Sequence, residues 1–307
     1  MDPLSDVLAL LRPRSVVSAG FDAGGDWAIA ANQTAGWIKC YAVTSGACWL
    51  AVDGVDPVRL ASGDCFVLAS GRPFRLASSL DVEPVDAVAA YSAPRRNGVV
   101  THGGGGGAFL VGSRFAVDGR RAELLIRTLP PVIHLEAAGD QAALRWAIER
   151  MMEEGQQDRP GSALVMQHLA HMMLVQALRL HLSRRSDGRA GWFSALSDPP
   201  ISAALGAMHA DPAHRWTLAE LAGQAGLSRS VFAERFRRKV GETPIEYLTR
   251  WRMTLAGDRL TRTGDPLAHT ALSLGYESES AFSTAFKRVM GCSPRRYARV
   301  GTARLDV

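Results

Sequence analysis

In two stretches of this chain, polar side chains recur at intervals that place them on one face of a helix. The first stretch offers Arg229, Ser230, Ala233, Glu234, Arg237 and Arg238; the second offers Glu279, Ser280, Ser283, Thr284 and Lys287. These residue types suit contact with base edges. Arginine pairs with guanine, glutamate accepts from cytosine, and small Ser or Ala side chains near a helix start let the backbone come close. Arg235, Arg237, Arg238 and Lys239 in the first stretch, and Lys287 and Arg288 in the second, add positive charge of the kind that phosphates attract regardless of sequence.

Such faces need a scaffold, and the scaffold is written twice. Phe232, Phe236, Gly241, Pro244 and Tyr247 match Phe282, Phe286, Gly291, Pro294 and Tyr297 at an offset of 50, while Leu218, Ala222 and Gly226 match Leu267, Ala271 and Gly275 at an offset of 49. Self-similarity of this kind marks a repeated structural unit. In the first unit Thr217 is placed as an N-cap, and Leu218, Leu221 and Ala222 share one helix face. Gly226 sits at a turn where glycine adopts positive φ without strain, and Ser228 is placed to cap the next helix. On that helix Phe232, Phe236 and Val240 recur every four residues and must face a core. The unit reads as a helix-turn-helix whose second helix fits a major groove. Between the copies, the helical run from Pro244 to Leu260 spans roughly 25 Å at 1.5 Å per residue. That length suits two reading helices set about one duplex turn, ~34 Å, apart.

The residues from 200 to 300 resemble the DNA-binding domain of the AraC/XylS family of bacterial transcriptional regulators, in their A-x3-G turns, the "WRM" of the connecting helix and the closing "GYESESAFSTAFKR…GCSPRRY". The resemblance implies base contacts from Ser230, Ala233 and Glu234 in the first unit and from Ser280 and Thr284 in the second. Where this chain has Glu234, family members often carry a basic or larger side chain, so an operator sequence does not carry over.

With 307 residues and 47% hydrophobic content, the chain has enough material for two globular domains. The expected division is a sensing and dimerising domain over 1–185, a linker over 186–199 rich in Ser, Gly, Pro and Arg, and the DNA-binding domain over 200–300. Charge divides unevenly: residues 1–182 hold 16 Lys and Arg against 18 Asp and Glu, whereas residues 183–307 hold 19 against 12. A basic domain joined to a near-neutral one points to a polyanion as partner of the basic one. No signal-peptide pattern opens the chain and no apolar run reaches bilayer length, so the expected location is the cytoplasm, without a membrane partner. Cys40, Cys48, Cys65 and Cys292 show no C-x-x-C spacing and suit a reducing interior.

The first half reads differently. Short runs such as "IKCYAV", "ACWLAV", "PVRLA" and "DCFVLA", punctuated by turn residues, predict strands of a small barrel or sandwich. Gly103 to Gly107 predict a flexible loop, and no G-K-[ST] follows to make it a phosphate loop. Helical periodicity starts near 140, with Asp140 as N-cap and Gly155 as stop, then continues from Ser162 in a helix apolar around most of its circumference. Such a helix must be covered by the barrel or by a second subunit. The stretch "VRLASGDCFVLASGRPFRL" resembles the cupin-type sensing domain of one branch of the AraC/XylS family. The resemblance places Tyr41 and Phe74 where enzymatic cupins carry metal-binding histidines, so neither metal nor cofactor is expected. Tyr41, Trp49, Phe66 and Phe74 are the candidate walls of an effector pocket.

The fold expected is therefore α+β and multidomain: a cupin-like β-barrel with following helices, then an all-α domain with two helix-turn-helix units. The expected partners are double-stranded promoter DNA, a small-molecule effector, a second copy of the chain through the 140–182 helices, and RNA polymerase. Activation and repression both stay open. The alternative control is redox sensing through Cys40, Cys48 and Cys65. His168 and His171 lie one turn apart but have no carboxylate or cysteine within a turn, which favours packing over metal binding. No H-E-x-x-H, G-x-S-x-G or paired-carboxylate motif suggests an enzyme.

Overall fold

The computed structural model describes residues 2–11, 14–32, 36–96, 98–116, 129–137, 142–156, 159–183, 190–262 and 265–302. The chain divides into two compact units: Pro13–Val117 with Leu129–Arg184, and Met1–Arg12 with Arg185–Val307.

The first unit is built on two sheets. Strands β1 (Arg14–Ala23), β3 (Trp37–Ser45), β6 (Cys65–Leu68), β9 (Arg95–Arg96), β10 (Val99–His102), β11 (Ala108–Ala116) and β12 (Val132–Leu135) form one sheet, ordered β12-β6-β3-β11-β1-β10-β9. Strands β2 (Ala28–Ala31), β4 (Ala47–Val52), β5 (Val55–Ala61), β7 (Phe74–Ala77) and β8 (Val85–Asp86) form the other, ordered β5-β4-β7-β2-β8, and a short helix, Ala87–Tyr91, follows β8. Phe21, Tyr41, Val43, Phe66, Leu68 and Leu110 from the larger sheet meet Ile29, Leu50, Phe74 and Leu76 from the smaller, and Trp27 just before β2, in one core. Trp49 departs from expectation. Strand alternation turns Cys48, Leu50 and Val52 into this core and sets Trp49 on the opposite face, half-buried.

The outer face of the larger sheet is also covered. Helices Ala142–Gln156 and Ser162–Ser183 pair with each other and lie on it, the longer one burying Leu169, Ala170, Met173, Leu174, Ala177 and Leu178. Two-sided burial explains why β6 reads as the unbroken apolar run "CFVL". Cys40 and Cys65 lie on this helix-facing side, with His171 edge-on to Phe115 at 5.2 Å between ring centroids. The shorter helix continues to Gln156, past the stop expected at Gly155, and Asp140 lies outside the described residues. The glycine run is packed against its neighbours: Gly106 donates its N–H to Asp22 at 2.8 Å, and a Cβ on Gly24 would lie 2.0 Å from the Gly105 carbonyl oxygen.

The second unit is helical. Pro3–Leu11 packs on Pro199–Ala210, burying Leu4 and Val7, so the first residues group with the C-terminal helices rather than with the barrel. Residues 190–199, expected as linker, are part of this unit. Trp192 and Phe193 are buried in the short helix Trp192–Ala195, and Gly191 donates its N–H to the Lys239 carbonyl at 2.8 Å. Two aromatics outweigh the loop-like composition around them. The remaining helices are the first support helix Leu218–Gln224, the first reading helix Arg229–Val240, the connecting helix Pro244–Arg262, the second support helix Leu267–Leu272, the second reading helix Glu279–Met290 and the closing helix Pro294–Thr302.

Candidate nucleic-acid interface

Each reading helix is fixed from behind by its phenylalanines. Phe232 and Phe236 stand edge to face at 5.6 Å, Phe282 and Phe286 are tilted at 5.7 Å, and all four are fully buried. From Ser228 to Glu246 every position has the same class of burial as its counterpart 50 residues later. The two copies therefore leave matching positions in solvent: Arg229 with Glu279, Ser230 with Ser280, Glu234 with Thr284, Arg237 with Lys287, and Arg238 with Arg288, while Ala233 and Ser283 are half-buried. All eleven residues expected to meet DNA thus lie on two equivalent helix faces. Helix ends are set as the glycines require: Gly241 and Gly291 close the reading helices with φ of 90° and 75°.

Capping differs between the copies. Thr217 and Glu220 form a complete capping box on the first support helix. Ser278 accepts from the Ala281 N–H at 3.2 Å, but Ser228 makes no side-chain cap and instead lies 3.4 Å from the Ser230 hydroxyl.

The charges also divide into those left for solvent and those used internally. Arg235, expected among the phosphate contacts, pairs with buried Asp198 at 3.0 Å. Asp198 also caps the Pro199–Ala210 helix, accepting from Ile201. Arg250 is held by Glu242 at 2.5 Å, and exposed Glu234 lies 3.5 Å from Arg238. Arg237 and Lys287 take part in no ion pair among the described residues, which leaves both charges available. Beside the first reading helix a groove of about 610 Å³ is lined by Ala233, Glu234, Arg237, Arg238, Thr243 and Ile245, among others. At its edge Thr243 donates its backbone N–H and its hydroxyl to Glu246, and these two donors hold the Glu246 carboxyl below its ordinary range. In the second copy Ile245 and Glu246 are replaced by Arg295 and Arg296, both exposed.

Sequence reasoning did not reveal a polar cluster behind the first copy. His209 stacks on Trp251 at 3.9 Å between centroids, with Nε2 2.6 Å from the Tyr247 hydroxyl and Nδ1 3.2 Å from Asp6. The arrangement that satisfies all three groups has Tyr247 donating to Nε2 and Nδ1–H donating to the Asp6 carboxylate. Burial and the nearby Arg250 push His209 down to about 3, and burial pushes the Tyr247 hydroxyl well up, so both stay neutral. Arg252 donates to the carbonyls of Pro212 at 2.5 Å and His214 at 2.7 Å, tying the loop before the first support helix to the connecting helix. A contact 203 residues apart in sequence, such as Asp6 with His209, leaves no periodic signal to read.

In the barrel, Tyr41, Phe66 and Phe74 are buried in the core and Trp49 is outside it. The cysteines are equally enclosed. Cys40 and Cys65 lie 4.0 Å apart between sheet and helix, and burial pushes Cys48 up to about 12. The reactive form of cysteine is the thiolate, so these environments give the redox reading no support. Among the described residues no three His, Cys, Asp or Glu side chains gather as a metal site, and no helix is long and apolar enough to cross a membrane.

A β-rich unit followed by a helical unit with two equivalent exposed helix faces defines a class: DNA-binding regulators of transcription. Comparison with known proteins gives the family. A cupin family model matches residues 2–183 and a helix-turn-helix domain model matches residues 221–299. Two curated relatives bear the name "Putative AraC-like transcription regulator": one from Streptomyces antibioticus, 46% identical across 97% of this chain and 99% of its own length, and one from Streptomyces lividans, 44% identical across 97% and 98%. The DNA-binding domain of AdpA, solved with a target DNA, is 27% identical over 34% of this chain and 95% of its own, with a TM-score of 0.33. The chain belongs to the AraC-like transcription regulators, and it is a DNA-binding regulator with a cupin-like N-terminal domain.

Proposed function

We propose that this protein reads two successive major-groove segments of a promoter with its paired reading helices, under the control of a small molecule bound in the barrel. The observation that carries the DNA reading is the position-by-position match in burial between the two copies, which leaves both polar faces in solvent. Ser230, Ala233 and Glu234 contact bases from the first copy with Arg229 beside them, and Glu279, Ser280, Ser283 and Thr284 do so from the second. Arg237, Arg238 and Lys287 bind phosphates. Effector binding favours one arrangement of the protein over another and so changes how the DNA-binding helices are presented. Trp146, Leu164 and Val165, large apolar side chains exposed on the helical pair of the barrel unit, support pairing with a second copy. RNA polymerase is the partner through which such a regulator would act at a promoter.

The test is selection of bound fragments from a random DNA library by the full chain, followed by sequencing. Glu234→Ala and Ser280→Ala should each relax base preference, at different positions about one duplex turn apart. Unchanged preferences in both variants would remove the assigned reading faces.

A further inference from the structure

The barrel holds two positive charges that the DNA-binding reading does not use. Lys39 on β3 and Arg114 on β11 are directly opposite each other in the antiparallel ladder, and Lys39 is also paired with Leu68 on β6. Alternation puts them on the same face as Tyr41 and Val43, the face that forms the barrel core, because Ile38, Cys40 and Ala42 face the covering helices. Both cations lean on aromatic rings. The Lys39 ammonium is 4.3 Å from the centroid of Phe74, which belongs to the other sheet, and the Arg114 guanidinium is 4.7 Å from that of Trp37.

Neither cation makes an ion pair among the described residues. Like charges opposite each other in a ladder oppose folding, and a half-buried ammonium without a carboxylate opposes it further. Burial, with Arg114 nearby, pulls Lys39 down to about 8. The rings keep the two groups in place without neutralising them. One pair deeper along the same ladder, the Tyr41 ring stacks with Phe66 at 5.6 Å and lies close over Gly112, where a Cβ would come within 2.5 Å of it. Along this face exposed Arg114 and half-buried Lys39 are thus followed by the buried rings of Tyr41 and Phe66.

We propose that Lys39 and Arg114 form the anion-binding end of the effector site, which takes a small organic monocarboxylate with its apolar body turned toward Tyr41 and Phe66. This rests on the effector reading given above and names the ligand class. Trp37, Leu68 and Phe74 offer carbon surfaces around the charges, which suit an organic anion better than hydrated phosphate.

The experiment is calorimetric titration of the full chain with phenylacetate, with phenethyl alcohol as its uncharged analogue, and with inorganic phosphate. Phenylacetate should bind saturably, and Lys39→Met and Arg114→Gln should each weaken it at least tenfold, with Lys39→Arg restoring most of the loss. Phenethyl alcohol should bind at least tenfold more weakly, and phosphate not at all. Thermal melting checks the fold; Lys39→Met should melt no lower than the parent, since it removes an uncompensated charge. A second measurement follows the lysine side chains by NMR, of which the chain has three, Lys39, Lys239 and Lys287. Phenylacetate should raise the pKa of Lys39 and leave the other two unmoved.

No phenylacetate binding by the parent chain, equal binding by folded variants, or preference for phosphate would overturn the assignment. The parent reading fails separately. If phenylacetate binds at Lys39 but leaves affinity for a selected DNA fragment unchanged, effector control falls and the site stands. If an uncharged compound shifts DNA affinity equally in the parent chain and both variants, effector control stands and this site falls.

Discussion

The two helix-turn-helix copies share a burial pattern and differ in how they are held. In the first, the turn glycine Gly226 has φ of 64° with open space around it, so its conformation alone calls for glycine. In the second, Gly275 has φ of 80°, and a Cβ there would lie 2.1 Å from the Ala213 carbonyl oxygen, so the backbone of another loop occupies the space. The first copy is anchored by polar contacts: Arg235 to Asp198, Arg250 to Glu242, and the His209 cluster. Behind the second is a core of Met253, Ala256, Leu260, Leu274, Phe282, Phe286 and Met290. Duplication has preserved the apolar lattice, which the fold needs at every turn, and has let the polar supports diverge.

The sharpest break of this comparison is at the turns. Gly275→Ala should cost about 4 kcal/mol or more in urea denaturation, adding a backbone clash to the strain of positive φ, whereas Gly226→Ala should cost about 1 kcal/mol. Equal losses would mean that the two turns are held alike. Acid should bring the next largest change, and it should enter through the first copy. His209 is neutral in the fold down to about 3, while a histidine in an unfolded chain takes its proton near 6.5. The unfolded state therefore gains the proton first, and stability falls as pH drops from about 6.5 toward 3. Asp6, whose carboxyl is raised by burial, opposes this to a smaller degree. In His209→Gln the loss between those two pH values should shrink; an unchanged acid limb would clear His209 of this role.

A smaller effect separates two arginines on one helix. Arg235→Ala, which leaves Asp198 without its partner, should lower stability by about 2 kcal/mol and leave the salt slope of DNA binding alone. Arg237→Ala should do the reverse, reducing the slope by about one with little change in melting. If Arg235→Ala also lowers the slope, its charge reaches phosphate after all. Smallest is the capping difference: Ser278→Ala should cost about 1 kcal/mol, and Ser228→Ala only a few tenths, because only Ser278 caps its helix.

What the sequence displays best is repetition and periodicity. Phe232, Phe236 and Val240 identify their own helix and its buried face, and Phe282 and Phe286 repeat the message. What it conceals is which charged groups are spent on internal pairs. Nothing in "ERFRRKV" distinguishes Arg235, bound to Asp198, from Arg237, because partners 37 residues away obey no local period. Strands covered on both sides hide their faces for a related reason: in the larger sheet Cys40 and Tyr41 are both buried, one under helix and one in the barrel. On β4, exposed on one side, Trp49 could have been assigned outward from the Cys48, Leu50 and Val52 alternation alone.

The connecting helix Pro244–Arg262 sends Tyr247, Leu248 and Trp251 into burial near its start and Met253, Ala256 and Leu260 into the second core. One residue inserted there would swing everything downstream by about 100° and advance it by about 1.5 Å. No slack exists in which to absorb the error. On the proposed reading, surface substitutions would respell either word, but the gap between the words is built into a rod, so promoters would have to accommodate the protein's stride and not the other way round.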